Sequence, residues 1–394
     1  MMEVIRVVLV DPADQSRQAL QGLLGEIKAV WIAEVCTTYQ GADRRVAEIG
    51  PDLTIVVADS STEQAVALIR AIGQAKPGAV VLPASSVREG SVILQLFRAG
   101  AREFLSLPAE LKELKETLER LFEGHTKPAP SADRGPQVIA LMGTTGGVGC
   151  TTLAVNIAGS LAKASEHEAV LVDFDLLLGS VDSSLDIMSK QTLLEVAQDV
   201  DRLDLTLLKR SLIKHSSGLY VLPRPTSLED AAKLDADTLR RVVSLLKATF
   251  PTVVIDTSKG LQASDFVAFE MADVILMAIQ LDLNSLRNTA RLLQLFRQQE
   301  GMIERVRLVA NRVGAHNAEI SVKKAEETLK LPISWQVPNA FKPFHNARSK
   351  GVTLDIEAPG CRAHQAILEI THALRPFPNA AVAKPRKKMF AAFF

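Results

Sequence analysis

The sequence predicts an α/β protein built from two doubly wound parallel-sheet domains. Three observations carry that reading. Short apolar runs alternate with segments of helical spacing along most of the 394 residues. Residues 124–136, with prolines and small polar residues but no apolar periodicity, read as a linker between residues 1–123 and 137–376. A glycine-rich turn at 143–152 lies between an apolar run and an amphipathic segment, the setting in which backbone amides cradle phosphate.

In the first part, residues 4–10, 53–57 and 79–82 read as buried parallel strands, and 104–107 as a late one. Residues 15–24, 40–49, 62–75 and 111–122 carry helical spacing. In the second part, 138–142 is the strand before the turn. Residues 151–163 form the helix after it, with Leu153, Ile157 and Leu161 on one face. Further apolar strands are expected at 169–173, 253–256, 274–279 and 308–313.

Composition narrows the function. Hydrophobic residues make up 47% of the chain, enough for sizeable cores. Lys plus Arg equals Asp plus Glu at 45 each, which argues against a global nucleic-acid-binding field. Cys36, Cys150 and Cys361 are scattered and odd in number, as suits a reducing compartment without a disulfide framework. Cys361 and His364 have a metal-ligand spacing, but no second pair accompanies them. No signal-peptide core follows the first residues, and no apolar run approaches the roughly 18 residues of a membrane span. A cytoplasmic protein is expected.

The chemistry concentrates at 143–152. A phosphate-binding loop has the form G-x-x-x-x-G-K-[ST]. Gly149 takes the second glycine position, Thr151 the magnesium hydroxyl position and Cys150 the place of the lysine. The first glycine position falls on Thr144, with Gly143 before it. Asp173 and Asp175 close one apolar strand, and Asp256 closes another.

The run Thr145, Gly146, Gly147, Val148, Gly149, Cys150, Thr151, Thr152 resembles the deviant Walker A motif of the ParA/MinD ATPases, K-G-G-x-G-K-[ST]. The resemblance implies ATP or ADP with Mg²⁺ as ligands of these residues. Asp256 with Thr151 and Asp173 would hold the metal, Asp175 would orient the attacking water, and Asn311 would contact the adenine base beside Pro338. A homodimer is implied as well. Both lysine positions, Thr145 and Cys150, lack the cation. Two lost charge-assisted hydrogen bonds weaken binding by roughly 10²- to 10⁴-fold if additive, and turnover suffers more. Weak binding and weak or absent hydrolysis are expected. Lys259 and Arg312 are cations that could substitute.

The first part resembles the receiver domain of response regulators. Asp11 matches one family acid, with Asp14 near it. Val57 stands where the family has its phosphorylated aspartate, and Asp59 lies two residues further on as a displaced alternative. The switch hydroxyl position falls at about Pro83, and the lysine position at Leu107. A pseudo-receiver without phosphotransfer is the expectation, and no receiver phosphorylation site is assigned.

A pseudo-receiver joined to a ParA/MinD-like domain without its lysines resembles the CpaE/TadZ family of Flp (Tad) pilus assembly proteins. The segments 219–225 and 283–288 also fit. That resemblance implies polar localisation alongside the pilus secretion ATPase and inner-membrane platform proteins. The tail 377–394 carries Lys384, Arg386, Lys387 and Lys388 before Phe390, Phe393 and Phe394. Such a cluster suits a membrane surface or a docking partner. A DNA-partitioning role is disfavoured by the neutral charge and the lack of a basic stripe outside the tail.

Overall fold

The computed structural model describes residues 4–27, 29–87, 89–122, 138–163, 168–188, 191–200, 202–315 and 320–374. The expected linker, 124–136, and the tail, 377–394, lie outside these residues. The chain forms two compact units. One comprises the described residues up to 122 together with those in 190–213 and 232–249; the remainder form the other. Within the first unit, Trp31 Nε1 donates to the Leu203 carbonyl (2.6 Å) and the Arg6 guanidinium to the Ala248 carbonyl (3.2 Å). Buried donors need such partners, and these draw the two later segments onto the first sheet.

The first unit is built on β1 (Ile5–Val10), β2 (Val30–Cys36), β3 (Leu53–Val57), β4 (Val81–Ser85) and β5 (Leu105–Ser106), in the order β2-β1-β3-β4-β5. The pairs are parallel. This is the flavodoxin-like doubly wound order. Successive strand residues face opposite sides. Val7, Leu9, Ile55 and Leu82 pack with Leu20, Leu114 and Leu118 on one side. Val8, Val10 and Val56 pack with Val46, Ile69 and Leu96 on the other.

Among the residues up to 122, two elements lack a sequence expectation, as do the helices Leu193–Gln198, Leu205–Ser211 and Ala236–Thr249 of the later segments. β2 is an edge strand whose burial alternates; residues 29–33 are apolar, but Glu34 interrupts the run inside the strand. The helix Gly90–Arg98 buries only Leu96 fully, and its apolar residues run nearly consecutively rather than at three-to-four spacing.

The acids of the first unit are engaged locally. Asp11 is buried and accepts from the Ala13 amide (2.9 Å) and the Ser16 hydroxyl (2.6 Å). Asp59 accepts from the Ser85 hydroxyl and the Ser86 amide. The strand runs through Pro83 to Ser85, so the residue at its end is Ser85. The expectation of Pro83 at that place is corrected: Pro83 sits in register with Val56, inside the ladder.

The second unit rests on an eight-stranded sheet. Its strands are β6 (Val138–Gly143), β7 (Ala169–Asp173), β8 (Ile213–Lys214), β9 (Tyr220–Leu222), β10 (Thr252–Asp256), β11 (Val274–Ile279), β12 (Val306–Val313) and β13 (Ile333–Pro338). Their order is β13-β12-β11-β6-β10-β7-β9-β8. β6 sits between β11 and β10, so successive connections leave it on both sides. A crevice forms outside the carboxyl ends of strands at such a switch. The helix Cys150–Lys163 is buried over most of its circumference against this sheet, with Ile367 and Ile370 of the helix Arg362–Leu374 in the same cluster.

Candidate functional site

The turn after β6 takes its shape from its glycines and from three buried anchors. Gly147 has φ +76° and Gly149 φ +94°, conformations that side chains with a Cβ rarely adopt. Gly149 also lies against Asn311, where a Cβ would stand 2.6 Å from the Asn311 amide nitrogen. Val148 is fully buried, while Gly146 and Gly147 face solvent. Thr145 is half-buried.

Thr144 stands in the first glycine position as a buried, fully bonded residue. Its amide and hydroxyl both reach the Ala278 carbonyl at 3.2 Å, its hydroxyl pairs with Ser285 (2.8 Å), and its carbonyl accepts from Asn288 (3.0 Å). A threonine is accommodated because β11 and the helix Leu283–Arg297 supply partners for its hydroxyl. Asn311 donates from Nδ2 to the Val148 carbonyl (2.8 Å) and accepts from the Arg312 amide (2.9 Å). Its side chain holds the turn itself.

Strand register brings the acids together. Asp256 lies level with Asp173 on β7 and with Leu141 on β6. Thr257 donates its amide and hydroxyl to the Leu141 carbonyl at 3.0 and 2.8 Å. Asp173 is fully buried and accepts from the Asp175 and Val181 amides, both at 3.1 Å. Burial and the neighbouring Asp256 push its carboxyl well above the usual carboxylate range. Gly179 packs so close that a Cβ there would meet the Asp173 carboxylate. Asp173 thus orders the loop 174–181. Asp175 is half-buried and accepts from the Leu178 amide (3.1 Å). Arg224, whose role no motif in the sequence announces, donates to the Gly179 carbonyl (3.0 Å).

The Cys150 thiol is buried and donates to Asp256 Oδ1 at 3.3 Å. Burial, then the Asp256 charge, hold it well above the ordinary thiol value. A nucleophilic thiolate is therefore disfavoured, and the thiol serves as a donor. Burial pushes the Asp256 carboxyl up to about 6 against the pull of the Thr151 hydroxyl and the Cys150 thiol. Asp256 Oδ2 is buried and has no hydrogen-bond partner. An orphaned carboxylate oxygen beside a phosphate-type turn suits magnesium, which is commonly held by one or two carboxylates together with substrate phosphates and water. Thr151 and Asp256 therefore fit that ion. Both Asp173 oxygens are already bonded to backbone amides. Among the described residues, no group of three or more His, Cys, Asp or Glu could hold a metal on its own.

One further arrangement goes beyond the sequence expectations. Asp265, fully buried, accepts from the Ser258 amide (2.7 Å), the Ser258 hydroxyl (2.6 Å) and the Gln262 amide (2.8 Å). The Ser258 hydroxyl in turn accepts from the Gly260 amide (3.0 Å). These bonds fix the loop after β10. The available signal is the capping pattern, with an acid three residues after Gln262.

Known proteins resemble this part of the chain. Residues 136–306 match the family model described as an AAA domain. The septum site-determining protein MinD of Helicobacter pylori is 26% identical over 241 residues, 58% of this chain and 88% of that protein. An ATP-binding protein of Methanocaldococcus jannaschii is 26% identical over 258 residues, 65% of this chain and 94% of that protein. The crystal structure of a ParA family ATPase from Chlorobium tepidum superposes with a TM-score of 0.57 at 22% identity, covering 61% of this chain and 99% of that one. MinD of Pyrococcus horikoshii, complexed with Mg-ADP, superposes with a TM-score of 0.52 at 20% identity, covering 60% and 94%. Among the described residues no helix is long and apolar enough to cross a membrane. The second part of the chain carries a ParA/MinD-like domain of the ATPase fold.

Proposed function

We propose that this chain is a nucleotide-binding scaffold that helps place the Flp (Tad) pilus secretion machinery, with weak or no hydrolysis of ATP. The observation that carries the reading is the turn at 143–152. It keeps the backbone of an anion nest, while Cys150, in the place of the lysine, is turned to Asp256. ATP or ADP with Mg²⁺ is the ligand class, held by the backbone of 145–152, Thr151 and Asp256.

The positioning half of the proposal draws on relatives named for septum-site determination. The pilus half draws on the joined arrangement, a receiver-like first part ahead of a ParA/MinD-like domain without its lysines. The protein acts as a homodimer beside the pilus secretion ATPase and the inner-membrane platform. The tail bearing Lys384 to Phe394 meets the membrane surface or the platform at the cell pole, from the cytoplasmic side.

Phosphate release tests it. The wild-type protein is expected to match an Asp175→Ala control in ATP and magnesium. The retained acids Asp175 and Asp256 favour a second reading, an active ATPase that positions cargo through a nucleotide-dependent dimer cycle. Turnover well above the control would replace the first reading with the second.

A further inference from the structure

The loop after β10 carries an exposed lysine into the neighbourhood of the turn. β10 and β6 are adjacent, and Thr257 is bonded twice to the Leu141 carbonyl. Lys259 follows two residues later. Its loop is held by the Asp265 carboxylate through Ser258 and Gln262, and by the Ser258 hydroxyl through Gly260. Leu261 completes the bend with φ +51°. Backbone held in so many places presents its side chain from a defined root.

Arg224, the cation bonded to the loop 174–181, is spent on the carbonyls of Gly179 and Pro225. Lys259 is exposed, and the charge it carries is felt by both Cys150 and Asp256. Beside them lies Asp256 Oδ2, buried without a partner.

We propose that Lys259 supplies, from the loop after β10, the positive charge that Cys150 does not supply, and binds the terminal phosphates of a nucleoside triphosphate held at 143–152. The inference rests on the nucleotide-binding reading above and adds the group that makes such binding worthwhile. A point charge on a flexible stem suits phosphate without demanding a fixed angle, so its placement on a neighbouring loop is chemically adequate. Asp265 is the positioning residue for this lysine.

Calorimetric titration of the full chain with ATP and magnesium tests it, with AMP as the comparison ligand. Lys259→Gln is expected to weaken ATP binding by about ten- to a hundred-fold, the loss of one charge-assisted hydrogen bond. AMP binding should change little, because AMP lacks the terminal phosphates that Lys259 would meet. Lys259→Arg should restore most of the ATP affinity. Lys259 is exposed, so neither variant threatens the core. If the wild-type protein binds ATP and Lys259→Gln binds it equally well, the assignment of Lys259 fails while the nucleotide reading stands. Equal weakening for ATP and AMP would also overturn it, as a general loop defect. A wild-type protein that binds no ATP would overturn both.

Discussion

Cys150 Sγ stands 3.3 Å from Asp256 Oδ1, joining the place of a phosphate-loop lysine to the acid at the end of the neighbouring strand. A lysine at that position would bring a cation between the acid and a bound phosphate. The thiol brings a neutral donor and leaves Asp256 Oδ2 without a partner. The loop thus keeps its shape without the charge that usually fills it.

Returning the charge should return affinity. Cys150→Lys is expected to tighten ATP–Mg²⁺ binding by about ten- to a hundred-fold, the worth of one charge-assisted hydrogen bond. Calorimetric titration measures it. No gain would mean that the turn does not present phosphate to the start of the helix Cys150–Lys163.

Asp256 makes the ligand-free fold pH-sensitive. Its carboxyl rises from an ordinary 3.8 to about 6 through burial, so the folded state holds the proton that the unfolded chain releases. Stability therefore falls as pH rises from about 4 to about 6, by up to about 3 kcal/mol. Asp256→Asn removes that ionisation. In chelator, the variant should melt above wild type at pH 7.5, and the gap should close towards pH 4. A gap of the same size at both pH values would show that the Asp256 charge is not its source.

The glycines of the turn are unequal. Gly149 combines a positive φ with a Cβ position 2.6 Å from Asn311 Nδ2. Gly146 has no positive φ, and a Cβ there would meet nothing within 4 Å. Gly149→Ala should cost about 1–3 kcal/mol of stability, and Gly146→Ala less than about 1. Denaturant melts of the two variants compare them directly; equal losses would contradict the Asn311–Val148 tie as the constraint.

Gly179 is constrained by a different neighbour. Its Cβ would meet the fully buried Asp173 carboxylate, and the Arg224 guanidinium holds its carbonyl. Gly179→Ala is expected to release the loop 174–181 by expelling the carboxylate from its two amide donors. Amide hydrogen exchange at Val181 should rise by at least about tenfold, since a hydrogen bond to a charged group contributes about 1.5–3 kcal/mol. Unchanged protection there would show that Asp173 does not order the loop.

Local pattern carried much of this molecule. The strand at 53–57 and the helices at 62–75 and 111–122 keep their expected bounds, because each buries an apolar run or face that its own spacing announces. Gly147 and Gly149 have positive φ, whereas Gly146 of the same pattern does not. β2 escaped although residues 29–33 are apolar, because Glu34 breaks the run inside the strand and burial there alternates as on a sheet edge. Ser85 escaped because Pro83 reads as the end of a strand and is inside one.

Residue types along the chain thus decided the α/β class, the glycine turn, the strand-end acids and the missing lysines, all of which depend on neighbours a few positions away. Only tertiary structure decided the partners. Asn311 meets Val148 across 163 residues, Thr144 meets Ser285 across 141, and Cys150 meets Asp256 across 106. A hydrogen bond requires approach to about 3 Å, and strand order with register determines which distant side chains achieve it.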